Sequence, residues 1–490
     1  MERRTIHETL ETPVTYSCDV LVAGGGTAGP VAAIAAAKTG AKVMIVEKGN
    51  FLGGSLVNHA GPIHSFFNLY NGFSNVKKQQ VIRGVPQQIV DRLVQEGGSY
   101  GHLEQEVGGD HDSVATIIDR EVYKNVLNEL CVENGVHLLF NTMVVGAVME
   151  GDTLTGVIIE NKSGRQVIEA KTVVDCTGDA DVAAFAGADF VNTSNTQMVS
   201  MPYAMANVDL KRVEQFAREQ GILFTMIHHD KGENVRDNIV RMGFNAEKLP
   251  GFDAVTIGNV GEKETKSISG GLPKFTVGEF GPWGVNFHEN EWGYCNCNFM
   301  VAVDGTNAEE ITRADVELRK FIVDFTEKLK KNVPGFEKAY ISWTPSFLGV
   351  RASRIVMCEY ELTDEDITNG HRFADEVALY GYHDYAPARK VKDGKWFGFP
   401  YRAFVPVKVE NLLCAGRNIT IDHNAHMSTR NTGGCMVQGH AVGTAAALAV
   451  KTGTRVRNLD VDLLRRTLKA QGAFLDGKTD EEICTNSTGA

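Results

Sequence analysis

Apolar positions along the chain fall into short runs and helical repeats. Val20 to Ala23 is a continuous apolar run, the length of a strand buried on both faces of a parallel sheet. Pro30 to Lys38 is alanine-rich and reads as a helix, and Lys42 to Val46 is a second apolar run closed by Glu47. Arg83 to Gly97 spaces Val85, Ile89, Leu93 and Val94 on one helical face; Asp119 to Asn134 does the same with Val122, Val126, Leu127 and Leu130. Val136 to Phe140 reads as a strand. Met143 to Met149, Leu154 to Asn161 and Gln166 to Ala170 alternate around Gly-Asp and Ser-Gly turns, the pattern of a three-stranded antiparallel meander. Val173 to Asp175 is a further strand, ending in the small polar turn Cys176-Thr177-Gly178-Asp179.

From about Asn192 to Trp396 the pattern changes. Strand-like stretches (Ser200 to Ala206, Trp283 to Val303) mix with helices (Leu210 to Gln220, Ala308 to Lys330), and aromatics and Met are frequent. From Phe399 onward the chain returns to the first domain. Asn411 to Arg417 is a buried strand and turn, Asn418 to Gly434 a polar stretch, Cys435 to Lys451 a small-residue helix and Val461 to Ala470 an amphipathic one. The tail from Asp476 is polar.

One stretch gives the pattern a chemical meaning. Between the first two strands, Gly24, Gly26 and Gly29 take a G-x-G-x-x-G spacing. The first glycine permits a tight turn, the second lets the backbone approach a pyrophosphate, and the third lets helix and strand pack closely. Glu47 at the end of the second strand can accept ribose hydroxyl protons and disfavours a 2′-phosphate. Strand, glycine turn, helix, strand and terminal acid in that order predict a Rossmann-like dinucleotide site.

Composition narrows this further. With 490 residues the chain is too long for one compact core. Lys+Arg 49 against Asp+Glu 61 leaves a net charge of −12, which argues against nucleic acid or an anionic membrane surface as the main partner. The nine cysteines are dispersed and odd in number, as expected for free thiols in a reducing, cytoplasmic setting. There is no C-x-x-C, so neither a zinc ribbon nor an iron–sulfur cluster is expected, and no metal ligand set stands out. The start, MERRTIHETLETP, lacks the apolar core of a secretory signal, and no window of ~20 apolar residues predicts a membrane span.

After Glu47 the chain enters Lys48-Gly49-Asn50-Phe51-Leu52-Gly53-Gly54-Ser55, a Gly-Gly loop that resembles the flavin-binding domain of the glutathione-reductase type. Further blocks carry the resemblance: RGVPQQIVDRL at Arg83, VVDCTGDADVAAFAGA at Val173, Leu348 to Glu359, then FPYRAFVP, NLLCAGRNI, HNAHMSTR and GGCMVQGHAVGTAAAL. Together they resemble the FAD-dependent oxidoreductases related to the flavin subunits of heterodisulfide reductase and fumarate reductase. The resemblance implies an α/β fold with a Rossmann-like FAD-binding domain in two parts, residues 1–191 and 397–455. It carries a three-stranded meander, and an inserted α+β substrate or cap domain spans 192–396. A C-terminal helix and tail fill 456–490. It also implies FAD contacts at Gly24, Gly26, Gly29, Glu47, Lys48, Gly53, Gly54 and Ser55; at the Met143-Val144 backbone; at Thr177, Gly178 and Asp179; at Gly416 and Arg417; and at Gly433, Gly434, Cys435 and Met436. Where the family usually has a threonine after the Gly-Gly pair, this chain has Ser55-Leu56-Val57-Asn58-His59.

Hydride transfer at flavin N5 leaves negative charge at N1 and O2, which a helix amino end stabilises; Gly433-Gly434-Cys435-Met436 is the candidate. Oxidising an alcohol or amine also needs a base, and reducing a double bond needs an acid. His423 and His426 lead as the proton group because they feed that helix. His59 and His64 lie in the segment Val57 to Phe67 and follow. Arg402 is placed to clamp a carboxylate or the flavin carbonyls, whereas Arg351 and Arg354 read more as ion-pair residues. Cys435 reads as a small packing residue. The leading expectation is a FAD-dependent enzyme oxidising a C–OH or C–N bond of a small polar substrate. Reduction of an activated C=C bond, and a FAD-carrying electron-transfer subunit, are the alternatives. A homo-oligomer is compatible with this; the substrate and the electron acceptor are not readable.

Overall fold

The computed structural model describes residues 5–59, 61–108, 112–229, 238–249, 251–252, 274–382 and 390–475. The polar tail expected from Asp476 lies outside the described residues.

The amino-terminal pattern folds as a seven-stranded sheet in the order His137–Leu139, Val43–Val46, Val14–Ala23, Gly164–Asp175, Thr153–Asn161, Met143–Glu150, with Leu412–Cys414 also paired to Gly164–Asp175. The stretch read as two strands, Gln166 to Ala170 and Val173 to Asp175, is one twelve-residue strand. It runs parallel to Val14–Ala23 along one edge. On its other edge, the first half closes the antiparallel meander with Thr153–Asn161 and the last three residues pair in parallel with Leu412–Cys414. A single long strand is required because its two halves serve different neighbours.

Register then brings distant loops together. Ala23 pairs with Val46 and with Asp175, and Asp175 pairs with Cys414. The turns that follow these four residues therefore emerge from one carboxyl edge, where open α/β sheets bind ligands.

The helices Gly29–Lys38 and Thr432–Thr452 pack on this sheet almost backbone to backbone. A Cβ on Gly439 would lie 2.3 Å from the Ala28 carbonyl oxygen, and one on Gly443 would lie 2.1 Å from that of Ala32. That contact explains the run of small residues in both helices. Elsewhere the helical faces are turned slightly from the expected ones. Val90 is buried in Val85–Gln95, whereas Val94 is exposed. In Arg120–Glu133, Tyr123 and Cys131 join Val126 and Leu127 inside, and Val122 and Leu130 are only half-buried. Asp119 caps this helix by accepting from the Glu121 and Val122 N–H groups, and Tyr123 is thereby set against Gly53.

A second, eight-stranded sheet is built around Glu291–Val301, which pairs with Val277–Val285, Met198–Ser200 and Tyr203–Ala206. The expected strands Ser200 to Ala206 and Trp283 to Val303 are each divided: the first at Met201-Pro202, the second by a hairpin turn. Helix Ala308–Asn332 buries Leu318, Ile322, Phe325 and Leu329 in a core shared with Trp292, Cys295 and Cys297. This core draws its buried residues from 199–348, while Ile355 to Phe397 pack into the first core. A small antiparallel sheet, Ile63–His64, Val114–Ile118 and Ser99–Glu104, bridges the two: Ala115 and Ile117 pack with Tyr294 and Val285. No helix among the described residues is long and apolar enough to cross a membrane.

Candidate functional site

The glycine turn has the geometry its spacing predicts. Gly24 takes φ +100°, and a Cβ there would lie 2.5 Å from the Cys176 carbonyl oxygen; one on Gly29 would meet the Gly24 oxygen at 2.0 Å. Both are glycine for internal reasons. Gly26 differs: its φ is ordinary, and a Cβ would meet nothing within 4 Å among the described residues. The space in front of Gly26 is open, which is what close approach by a ligand requires. Gly54, at φ +49°, lies against the Gly26 backbone, and Gly53 takes φ +104° over Val57 and Tyr123. Glu47 accepts from Gly25 N–H at 2.6 Å and Gly49 N–H at 2.7 Å, so its carboxylate is locked in place with further lone pairs to offer. Thr142 donates its N–H to the Glu47 carbonyl, which sets Met143 and Val144 beside this turn. Ser55 is exposed.

The other two turns at this edge are tied together. Asp175 is fully buried and accepts from the Thr177 N–H and hydroxyl and the Ala183 N–H. Burial still pushes its carboxyl up to about 6. It braces the turn carrying Gly178 and Asp179. Asp179 pairs with Arg417 at 3.0 Å and accepts from the Ser353 hydroxyl at 2.6 Å. Burial alone would raise its pKa, but Arg417, Ser353 and the nearby Lys48 outweigh it and hold the carboxyl below its ordinary value. Gly416, at φ +110° with open space before it, donates its N–H to Gln438 of the small-residue terminal helix Thr432–Thr452. Arg417 Nη1 is buried with no hydrogen-bond partner among the described residues. The guanidinium to which it belongs lies against Gly178. An open cradle at Gly26 and Gly416, with an orphaned guanidinium nitrogen at the same edge, fits an extended anionic ligand such as a dinucleotide.

The terminal helix starts at Thr432, three residues before its small-residue run, so Gly433 and Gly434 form its first turn. Asn431 makes no side-chain cap and instead donates its amide to Met427 and Ser428 carbonyls. The first N–H groups are left to face whatever occupies the edge. The polar stretch before it is partly helical, His423–Thr429, capped by Asp422.

The histidines separate cleanly. His426, one of the two leading candidates, is buried and bonds the Arg417 carbonyl; burial drives it to about 3, so it is a neutral support for the turn. His423 is half-buried at the amino end of the short helix, its pKa lowered by burial. His59 is buried against the Phe347 carbonyl at 3.3 Å and pushed down to about 4. His64 stands apart. Its backbone N–H donates to Thr432 Oγ1 at 2.8 Å, which fixes it at the start of the terminal helix. Its Nδ1 meets Asp112 Oδ2 at 3.1 Å, and Arg241 donates to the same oxygen at 3.2 Å. Trp283 and Tyr382 flank its ring.

Arg402 is not at this edge: its guanidinium pairs with Asp375 at 2.5 Å and lies over the Tyr360 ring. Arg354 is the expected ion-pair residue, bound to Asp181 at 2.9 Å. Cys435 is buried, its thiol raised to about 12 by burial and donating to the Arg430 carbonyl. Asp112, Arg241, Asp175, Ser353 and Gln438 escaped the sequence reading. Gln438 had a signal, a long polar side chain in a small-residue helix; Asp112 and Arg241 had none, because their meeting with His64 is entirely long-range. No group of three or more His, Cys, Asp or Glu able to hold a metal occurs among the described residues.

A family model described as FAD dependent oxidoreductase matches residues 19–468. A digeranylgeranylglycerophospholipid reductase from Methanosarcina acetivorans is 25% identical over 172 residues, 35% of this chain and 40% of the relative. The protein of that name from Methanoculleus marisnigri is 26% identical over 198 residues, 39% and 46% of the two chains. The match thus spans less than half the length of either relative. Among solved structures, a geranylgeranyl bacteriochlorophyll reductase-like protein from Thermoplasma acidophilum aligns with 96% of this chain and 86% of its own, at 14% identity and a TM-score of 0.44. A p-nitrophenol 4-monooxygenase from Pseudomonas putida covers 97% and 93%, at 12% identity and 0.43. Neither structural likeness bears on the reaction.

Proposed function

Because the chain belongs to the FAD-dependent oxidoreductase family, we propose that it transfers a hydride between a small polar organic substrate and N5 of FAD, oxidising a C–OH or C–N bond. Bound FAD supplies the two-electron acceptor. In this reading Gly24, Gly26, Gly29, Glu47, Lys48, Gly53, Gly54, Ser55 and the Met143-Val144 backbone hold its adenosine and pyrophosphate portion. Thr177, Gly178, Asp179, Gly416 and Arg417 hold its middle, and the first turn of the terminal helix, Gly433 to Met436, holds its charge-bearing ring edge. The sheet around Glu291–Val301 serves as the cap over the substrate.

The observation that carries the proposal is the His64–Asp112 pair at 3.1 Å, placed at the start of the terminal helix. Alcohol oxidation removes one hydride and one proton. The His64 imidazole takes the proton; the Asp112 carboxylate fixes the ring's orientation and stabilises the imidazolium that forms. The test is anaerobic: purified, FAD-loaded protein is mixed with small alcohols and amines, and loss of the oxidised-flavin absorbance is followed. Bleaching by a member of the panel supports the reading. Turnover by the isolated chain excludes the electron-transfer subunit.

A second reading, reduction of an activated C=C bond, is favoured by one observation: Arg241 is buried and its Nε has no hydrogen-bond partner among the described residues, so it could meet an enoate's carboxylate. Re-oxidation of the reduced protein by enoates, without bleaching by alcohols, would select it.

A further inference from the structure

We propose that Arg241 is a positioning residue for the oxidation: from the second sheet it fixes Asp112 as a hydrogen-bond acceptor, and so leaves the lone pair of His64 on Nε2, free to take the substrate's proton. The inference rests on the oxidoreductase reading and adds to its proton group a residue from the inserted part of the chain.

Two parts of the chain meet here. His64 ends the strand Ile63–His64, and Asp112 lies just before Val114–Ile118, in which Ala115 is the partner of His64. Arg241 belongs to Asn238–Phe244 of the second sheet, and Trp283 to the neighbouring strand Val277–Val285. The four side chains close a ring of contacts. His64 Nδ1 meets Asp112 Oδ2 at 3.1 Å, and Arg241 Nη1 donates to that same oxygen at 3.2 Å. The Arg241 guanidinium lies over the Trp283 indole, 5.1 Å from its centroid, and the indole stands edge-on to the His64 ring at 6.4 Å. Asp112 is 1% exposed and Arg241 4%. Stability alone does not call for such a bridge, because a buried ion pair is often no better than apolar side chains of the same size. The ladder neighbours of Arg241 on either side, Ile227 and Val285, are indeed apolar and buried.

The consequence for His64 follows from what each atom can do. A guanidinium N–H only donates, and its charge disfavours a proton on the oxygen that it meets. Asp112 Oδ2 is therefore an acceptor toward both neighbours. His64 Nδ1 must then carry the hydrogen of the neutral ring, and the lone pair falls on Nε2. That is the form in which an imidazole accepts a proton from an alcohol or amine. Without the guanidinium charge a buried carboxylate is costly, and a proton on Oδ2 relieves that cost. Oδ2 then donates to Nδ1, the ring's own hydrogen moves to Nε2, and the base is lost.

The experiment uses the full-length, FAD-loaded protein and has two arms. The first needs no substrate. Protein labelled with nitrogen-15 in its histidine rings is examined by NMR in mildly alkaline buffer, and the His64 signals are those that His64→Gln removes. The parent is expected to carry its ring hydrogen on Nδ1. Arg241→Met should lose that form, and Arg241→Lys, which restores the charge, should recover it. A parent with the hydrogen on Nε2, or an unchanged ring in Arg241→Met, overturns the proposal.

The second arm follows single turnovers with an alcohol or amine that bleaches the flavin. Arg241→Met should lower the limiting rate about tenfold or more and leave the half-saturating substrate concentration nearly unchanged. Arg241→Lys should restore most of the rate. Asp112→Asn should slow reduction by itself, and adding Arg241→Met to it should cost no more than about twofold further, because Arg241 acts through Asp112. Losses that multiply, or a raised half-saturation at an unchanged limiting rate, would make Arg241 a substrate contact and overturn the proposal. Far-UV melts and FAD content matching the parent show that each variant is folded. Where Arg241→Met fails that check, Arg241→Gln, which keeps a donor without the charge, replaces it in both arms. If nothing bleaches the flavin while the first arm gives the expected result, the hold of Arg241 on His64 stands and the oxidation reading alone falls.

Discussion

Replacing Gly443 by alanine tests whether the terminal helix is held where the cofactor reading needs it. The added Cβ would lie 2.1 Å from the Ala32 carbonyl oxygen and 2.6 Å from Ala32 Cα. A close but tolerated carbon–oxygen contact is about 3.3 Å, so the two helices must part locally by about 1 Å. Both obstacles are backbone atoms, so no rotamer change relieves the overlap. Alanine is favoured over glycine inside a helix by about 1 kcal/mol, whereas forced overpacking costs about 1–3 kcal/mol. The two terms oppose, and the closeness of the contact puts the steric cost at its upper end, leaving a net loss of about 1–2 kcal/mol. In a chain of this size that lowers the melting temperature by about 1–2 °C. The same displacement shifts the first turn at Thr432 away from the glycine turn at Gly24, so FAD affinity should fall about fivefold, the equivalent of about 1 kcal/mol of lost contact. Circular-dichroism melts of the apo- and FAD-loaded forms give the first quantity, and titration of apoprotein with FAD by fluorescence gives the second. If Gly443→Ala melts higher than the parent and binds FAD unchanged, the backbone contact is not what positions this helix.

Other outcomes follow from the same structure. Asp179→Asn removes the charge that faces Arg417 at 3.0 Å, and FAD dissociation measured by fluorescence should become about tenfold easier, while Asp189→Asn on the surface should not change it. His64→Gln should slow flavin reduction by about 10²–10⁴-fold with full FAD content. His426→Gln should instead lower the melting temperature with reduction slowed far less, because His426 supports the Arg417 carbonyl. Acid should destabilise the fold in a defined window. Burial pushes His59, His102 and His440 down to about 4 and His426 to about 3, whereas in the unfolded chain all four titrate near 6.5. The unfolded state then binds more protons below about pH 6.5, so stability falls from there toward pH 4, by up to about 1.4 kcal/mol per pH unit for each histidine. Asp175, raised to about 6, opposes this with a single proton. Melting temperatures that stay level from about pH 7 to about pH 4.5 would contradict the buried, neutral state of these rings.

Much of the fold was legible locally. The glycine turn, the strands on either side, the meander and the amphipathic helix Val461–Ala470 each follow from a spacing readable within ~15 residues. Where a boundary failed, a distant partner was the cause. The strand Gly164–Asp175 is continuous because Val14–Ala23 runs along its length, and the terminal helix begins at Thr432, whose hydroxyl is held by the His64 N–H. Val94 and Val90 exchanged places because a one-position turn of a helix is invisible until its packing partner is known.

The site divides along the same line. Positions whose role is set by the backbone, Gly24, Gly26, Gly29 and Gly416, were determined by the amino-acid order itself, since a tight turn or close approach demands a residue without Cβ wherever the chain makes it. Which histidine is enclosed and which meets an acid was decided only by the tertiary structure. His426 and His64 are the same imidazole; one is enclosed against a carbonyl, and the other meets Asp112, 48 residues away, and through it Arg241 of the second sheet. A side chain's ionisation depends on the charges and solvent around it, and those arrive from parts of the chain that no local spacing connects.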